Sequence, residues 1–239
     1  MPVFKKPAIG TIGSAVVSIA PAIAPGPSAQ VLRKLADLAI DGVSLLPGAR
    51  HSAGHALEHK TGDVEAAINA LVMSHTAMAG AQGFVTNLGG LVSTVVAVPA
   101  NLAGVAVVQT RLVASIAHLR GYNLDDPRVR EAIWMVLLGR RGVEELVGKG
   151  KLPSSPMGVA TAPVSDPRLE QQIAEQVLRT LAARTSGKQT VALIGKRIPI
   201  LGGGVGLAAD GWATWAVAEY AKHEFIVRRR TGRPHGPEA

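Results

Sequence analysis

An uncharged run of thirty-five residues, at positions 76–110, constrains the fold of this chain more than any other feature. A helix needs roughly 20 apolar residues to cross a bilayer core, so the run is long enough to span once. Gln82, Asn87 and Pro99 interrupt it, and too few apolar residues follow the proline for a second span. The run therefore predicts a single span over about residues 77–98, insertion into one leaflet, or burial in a helical bundle. The last two are favoured because polar side chains inside a membrane need protein partners.

Apolar residues recur with the 3.6-residue helical period along the chain, and no alternation of strands and helices accompanies them. Ser28 is a predicted N-cap whose helix extends to Pro47, and residues 149–167 form a predicted loop. Further helices are expected to begin near Asp63, Pro99, Asp126 and Asp166. The predicted fold class is all-α: a multi-helix bundle in which two Gly-rich apolar helical blocks, around Gly83 and Gly202, pack together.

Composition divides the chain into three parts. Residues 1–27 form a Pro/Gly-rich N-terminal arm, residues 28–227 form the helical domain, and residues 228–239 form a basic, disordered tail. Lys5 and Lys6 precede an apolar segment, as in a signal peptide, but prolines bracket that segment. We therefore expect an irregular or interfacial arm rather than a secretion signal, and a protein at the cytoplasmic face of a membrane.

The formal charge of +8, from 25 Lys and Arg against 17 Asp and Glu, favours polyanions as partners. Aromatic residues are only 3% of the chain, so side chains on which bases could stack are scarce. We therefore expect no nucleic acid and an anionic lipid membrane instead. The basic residues near apolar segments, which are candidates for contact with that membrane, are Lys5, Lys6, Arg140, Arg141, Lys149, Lys151, Arg228, Arg229 and Arg230.

A polar seam is predicted between the two apolar blocks. Gln109 falls on the apolar face of its helix, where a buried amide must be hydrogen-bonded, and its candidate partners are Asn87, Asp210 and Thr214. Arg111 is expected to lie on the adjoining face and to pair with Asp210. The candidates for the seam, or for seating a lipid headgroup, are Gln82, Asn87, Asn101, Gln109, Arg111, His118, Lys196, Arg197, Asp210 and Thr214.

Motifs for catalysis or cofactor binding are weak in this sequence. Residues 201–211 contain the spacing of a dinucleotide-binding loop, but no central parallel strand is predicted before them. His51, His55 and His59 share a helical face, yet the outer two lie roughly 12 Å apart along it and cannot share one ion. The absence of cysteine excludes disulfides and thiolate metal sites. We expect no catalytic residue, no cofactor and no metal.

Six short segments follow one another in a characteristic order and spacing: AGAQGFVTNLGG at 79–90, PANL at 99–102, QTRLV at 109–113, IAHLRGYNLDD at 116–126, GKRIP at 195–199 and GGGVG at 202–206. Together with Asp210, Thr214 and Phe225, these segments resemble the EcsC protein family. The resemblance covers residues 64–225, which is most of the chain.

The resemblance implies a bacterial, all-helical, membrane-associated protein with no established enzymatic activity, so no catalytic role is carried over. The layout is also similar to the helical domain behind some membrane-associated Era-type GTPases, although this chain has no GTPase motif. The expected function is non-enzymatic association with an anionic membrane, peripherally or by shallow insertion, with an unidentified protein partner. The alternatives are a soluble helical carrier for a lipid or other apolar ligand, and a hydrolase that uses His118 or Asp210.

Overall fold

The computed structural model of the chain describes residues 28–43, 46–88, 97–164, 168–180 and 199–228. Two-residue strands, β1 (Gly42–Val43) and β2 (Leu46–Pro47), form an antiparallel pair. The helices are α1 (Ser28–Ile40), α2 (Ala49–His59), α3 (Val64–Leu88), α4 (Ala97–Leu119), α5 (Pro127–Leu138), α6 (Arg140–Gly148), α7 (Pro156–Ala160), α8 (residues 168–180) and α9 (Pro199–Glu224). The predicted all-α class is confirmed.

Short capping signals set several of the helix ends. The side chain of Asp63 accepts a hydrogen bond from the backbone N–H of Ala66 at 2.9 Å, in the first turn of α3. Asp126 caps α5 in the same way, and Pro127 follows at the first helical position. Gly121 ends the turn after α4 with a φ of 88°, a conformation that glycine adopts without strain. These boundaries lie where the sequence predicts them.

Two predictions about local structure are wrong. The first helix ends at Ile40 rather than at Pro47, because Gly42 has a φ of 84° and turns the chain into the β1–β2 pair. A left-handed residue cannot continue a right-handed helix. The predicted loop at residues 149–167 contains the short helix α7, whose N-cap is Ser155.

Helices α3 and α9, which carry the two Gly-rich blocks, pack against each other more extensively than any other pair of described elements. Gly211 on α9 faces Thr76 on α3, and a Cβ placed on that glycine would lie 3.6 Å from the carbonyl oxygen of Thr76. A side chain at this position would therefore be in ordinary van der Waals contact with α3, which shows how close the two helices lie here. The predicted packing of the two blocks is confirmed.

The core forms around α5, which is buried along nearly its whole length. Trp134, Ile133 and Leu137 from this helix are among the largest fully buried side chains. Residues from α4 and α9 complete the core, including Leu112, Ile116 and Phe225, the residue that follows α9. Because α4, α5 and α9 share this core, the end of α4, the α5–α6 junction and the second half of α9 come together on one side of the bundle.

No helix among the described residues has the length and hydropathy that crossing a membrane requires. The single span predicted over residues 77–98 includes residues 89–96, which lie outside the described part of the chain. The predicted N-terminal arm lies outside it too, as do residues 229–239 of the tail. Arg228, the first residue of that tail, packs on the bundle, where its backbone N–H donates to the carbonyl oxygen of Arg120 at 3.0 Å.

Candidate functional site

Arg111 is a buried cation at the centre of a polar cluster. Its side chain projects from α4 and is only 4% exposed. The guanidinium donates from Nε to Nε2 of His75 at 3.0 Å, from Nη1 to the carbonyl oxygen of Pro47 at 3.3 Å, and from Nη2 to Sδ of Met78 at 3.4 Å. We call Pro47, His75, Met78 and Arg111 the Arg111 cluster. It joins α3 and β2 to α4.

The hydrogen bonds of the Arg111 cluster determine the protonation state of His75. Because an arginine N–H can only donate, Nε2 of His75 accepts, and the ring proton is therefore on Nδ1. That nitrogen lies 2.8 Å from the carbonyl oxygen of Leu71, to which it donates. Burial of the ring and, to a smaller extent, the nearby charge of Arg111 lower the pKa of His75 to about 4. His75 is therefore a neutral acceptor at physiological pH.

The predicted seam is present in part. Nε2 of Gln109 on α4 donates to Oγ1 of Thr214 on α9 at 3.2 Å, and both side chains are buried. Asp210 is also buried, one helical turn before Thr214 on α9. The predicted pairing of Arg111 with Asp210 is wrong. Arg111 is two positions after Gln109 on α4, which rotates it by roughly 200° about the helix axis, so it faces α3 and β2 rather than α9.

We expect Thr214→Val to lower the free energy of unfolding by about 1–2 kcal/mol, because it leaves a buried amide donor without an acceptor. Oε1 of Gln109 has no hydrogen-bond partner among the described residues, so the substitution leaves the whole amide unpaired. Urea unfolding measures the effect, with Thr214→Ser as the control that keeps the hydroxyl group. Equal stability of the valine and serine variants would show that the hydrogen bond contributes nothing.

A groove of about 910 Å³ opens on the surface where the end of α4, the α5–α6 junction and α9 meet. Trp212 and Trp215 on α9 line it, and they are 67% and 41% exposed. Their ring centroids are 5.0 Å apart. Large exposed aromatic side chains that lie side by side are uncommon on the surface of a soluble protein, and such apolar surface marks interaction sites.

Basic side chains surround the two tryptophans. Arg120, Arg140, Arg141 and Lys222 line the groove, and we call this surface, together with Trp212 and Trp215, the cationic groove. Arg120 pairs with Glu65 at 2.8 Å, and Lys222 pairs with Glu219 at 3.0 Å.

Arg140 and Arg141 differ in their partners from the other basic residues of the cationic groove. The guanidinium of Arg140 lies over the ring of Tyr220, 5.3 Å from its centroid. Neither Arg140 nor Arg141 forms an ion pair with a carboxylate of the described residues. Glu145, which follows on the same helix, binds Lys149 instead.

The other predicted basic residues do not gather at one place. Lys149 and Lys151 are exposed beyond the far end of α6, and the guanidinium of Arg228 lies over the ring of Tyr122. His118 lies near the end of α4, where partial burial and then the charge of Arg50 lower its pKa. The side chains of Gln82, Asn87 and Asn101, and the residues Lys5, Lys6, Lys196, Arg197, Arg229 and Arg230, lie outside what the structure describes.

Sequence reasoning overlooked both tryptophans and the partner of Arg111. A signal for the first was present: two of the three tryptophans of the chain, Trp212 and Trp215, are three positions apart and so share a helical face. Treating residues 190–221 as one apolar block hid that pair. His75 follows the helical periodicity of α3, and that is all the sequence shows of it. This periodicity does not indicate that Arg111 packs beside the ring.

Comparison with known proteins places this chain in a family. No curated protein and no solved structure matches it. The model of the EcsC protein family matches residues 28–229, which begin at the predicted N-cap of α1 and include every described helix. The match therefore covers the whole bundle, with the Arg111 cluster and the cationic groove inside it. This chain belongs to the EcsC protein family.

Proposed function

We propose that this protein binds anionic membranes peripherally, with Trp212 and Trp215 entering the headgroup region. The observation that carries the proposal is the exposure of this tryptophan pair, 67% and 41%, beside basic side chains. Tryptophan is enriched at membrane–water interfaces because its ring is apolar while its N–H group can still bond to water or headgroups. A pair on one helical face allows both rings to enter the same leaflet.

The basic side chains support the same orientation of the protein, with the cationic groove against the membrane. Arg140 and Arg141 lie beside the tryptophans without a carboxylate partner in the described part of the chain. Each basic residue close to an anionic surface contributes about 1 kcal/mol of attraction, which salt screens. The full chain adds to this with its net charge of +8. The cytoplasmic leaflet carries the anionic lipids of a cell, so we place the protein there.

The test is sedimentation with vesicles that contain or lack anionic lipid, using the double variant Trp212→Ala/Trp215→Ala. If each ring buries roughly 50–100 Å² of apolar surface, it contributes about 1–2.5 kcal/mol at about 25 cal/mol per Å². The half-saturating lipid concentration should therefore rise at least about 30-fold. Met73→Ala on α3 is the control, since Met73 is also strongly exposed and is not part of the groove lining.

Tryptophan fluorescence provides a second measurement of vesicle binding. Trp134 is buried and its Nε1 has no partner in the described structure, so Trp134→Phe removes its emission without breaking a hydrogen bond seen there. In that background, Trp212 and Trp215 should shift to shorter wavelength when anionic vesicles are added. Equal binding by the double variant and Met73→Ala would refute the proposal. Equal binding to neutral and anionic vesicles at low salt would refute its electrostatic part.

The soluble carrier remains the second hypothesis, and the same preparation separates the two. A carrier would stay in the soluble fraction without detergent and would retain an extractable lipid or other apolar molecule after purification. A peripheral membrane protein would sediment with membranes and be released by salt or carbonate.

A further inference from the structure

The cationic groove holds two arginines, Arg140 and Arg141, that form no ion pair with a carboxylate in the described part of the chain. Its lining carries Arg120, Arg140, Arg141 and Lys222 against a single carboxylate, Glu219, which already binds Lys222. A cleft with several like charges concentrates an oppositely charged group inside it. The groove is therefore suited to one anionic group of high charge density.

The N-terminus of α6 adds donors at the same place. Gly139 is the N-cap of this helix, its φ is 77°, and it provides no side chain to cap the first turn. The first three residues of the helix, Arg140, Arg141 and Gly142, line the groove. The free backbone N–H groups of a first helical turn carry a partial positive charge and bind phosphate oxygens well.

Arg120 adds a third arginine to the lining of the groove. Its guanidinium contacts Glu65 through Nη2, but Nε is buried and has no hydrogen-bond partner among the described residues. Because Nε is inaccessible to solvent, it cannot donate to a ligand in the open groove, and Glu65 already pairs with the charge of Arg120. Arg120 lines the same groove as the first turn of α6.

We propose that the cationic groove binds the phosphate monoester headgroup of an anionic lipid. This inference rests on the proposed membrane binding and names the lipid class that the site prefers. A phosphate monoester carries nearly two negative charges at neutral pH and three terminal oxygens, which match the guanidinium groups of Arg140 and Arg141 and the first turn of α6. The volume of about 910 Å³ is large enough for a headgroup and the glycerol beneath it.

The tryptophan pair defines how the lipid would lie. Trp212 and Trp215 form the α9 side of the groove, opposite the first turn of α6. With these rings in the headgroup region, a phosphate held by Arg140 and Arg141 leaves its acyl chains free to remain in the bilayer. Lipids whose phosphate is a diester have one charge and fewer terminal oxygens, so they satisfy fewer of these donors.

The experiment compares vesicles containing phosphatidic acid, a monoester, with vesicles containing phosphatidylglycerol, a diester, at matched surface potential. The parent protein should bind the monoester vesicles about tenfold more tightly. Arg140→Gln/Arg141→Gln should remove that preference while keeping the tryptophan-dependent binding to both. The control Lys149→Gln/Lys151→Gln removes the same charge from the far end of α6, outside the groove lining, and should keep the preference.

Each outcome is informative about a different claim. Equal binding of the parent to both lipids, with binding still dependent on the tryptophans, overturns the headgroup site and leaves the proposed membrane function intact. If the Lys149→Gln/Lys151→Gln control also lost the preference for the monoester, net charge alone would explain that preference. This result would also overturn the headgroup site. Calorimetry with inorganic phosphate and glycerol 3-phosphate, without vesicles, is the final arm. Binding of either as tightly as the vesicles would assign the groove to a free phosphate rather than to a lipid.

Discussion

Lowering the pH from 6.5 to 4 is expected to reduce the free energy of unfolding by roughly 3 kcal/mol through His75. The pKa of His75 is about 4 in the folded protein, against 6.5 for an ordinary histidine, chiefly because the ring is buried. Between these values the unfolded chain binds a proton that the folded protein does not, so acid favours unfolding. The loss begins as the pH falls through 6.5 and is complete near 4.

The structural reason for this pH dependence is the direction of one hydrogen bond. Nε2 of His75 accepts from Nε of Arg111 at 3.0 Å, and Arg111 packs against it from α4. A proton on Nε2 would bring an N–H group and the positive charge of His75 against those of Arg111. Nδ1 already carries a proton, which it donates to the carbonyl oxygen of Leu71. The folded state therefore has no way to accommodate the second proton without breaking the Arg111 cluster.

Urea unfolding at intervals between pH 4 and pH 7 measures the effect, with His75→Gln as the comparison. Glutamine keeps a carbonyl acceptor for Arg111 but does not titrate, so its stability should depend less steeply on pH. His118 has a lowered pKa too, so both proteins should carry His118→Gln. The pKa of Asp126 is lowered from 3.8 by its hydrogen bonds with Arg128, so its contribution is lost mainly below this window. Parallel pH profiles for the two proteins would contradict the prediction.

Local signals explain why so much of the fold was predictable. The dipeptide Asp126-Pro127 predicts the first residues of α5, and Gly121 predicts the end of the turn after α4. The packing of α3 on α9 was expected from the small residues of the two apolar blocks, and Gly211 lies beside Thr76 where the two helices meet. Such features depend on a few neighbouring residues and on helical periodicity, which the sequence displays directly.

The sequence predicted only those features of the candidate site that follow from the position of a residue on a single helix. Gln109 on an apolar face required a buried partner, and Thr214 is that partner. The partner of Arg111 could not be found in this way, because it depends on which helices pack on either side of α4. The cationic groove depends on tertiary packing in the same sense, since Arg140 and Trp215 are far apart in sequence and meet only when α6 and α9 pack beside α5.

Arg111→Ala is expected to destabilise the protein by about 2–4 kcal/mol. Truncation removes a long buried side chain, which leaves a cavity, and it leaves Nε2 of His75 without its donor. Release of the buried charge offsets part of this cost, because burial already lowers the pKa of Arg111. For a protein of this size the melting temperature should fall by about 5–15 °C.

Arg111→Met separates the two contributions to that loss. Methionine fills most of the volume of the arginine side chain and carries no charge to desolvate, so the melting temperature should fall by only a few degrees. Arg179→Ala is the exposed control: Arg179 is 70% exposed, forms a 3.7 Å pair with Glu175 on α8, and should cost less than about 1 kcal/mol. If Arg111→Ala melts like Arg179→Ala, the Arg111 cluster does not hold α3 and β2 to α4. If methionine is as harmful as alanine, the hydrogen bonds of the guanidinium contribute more than its volume.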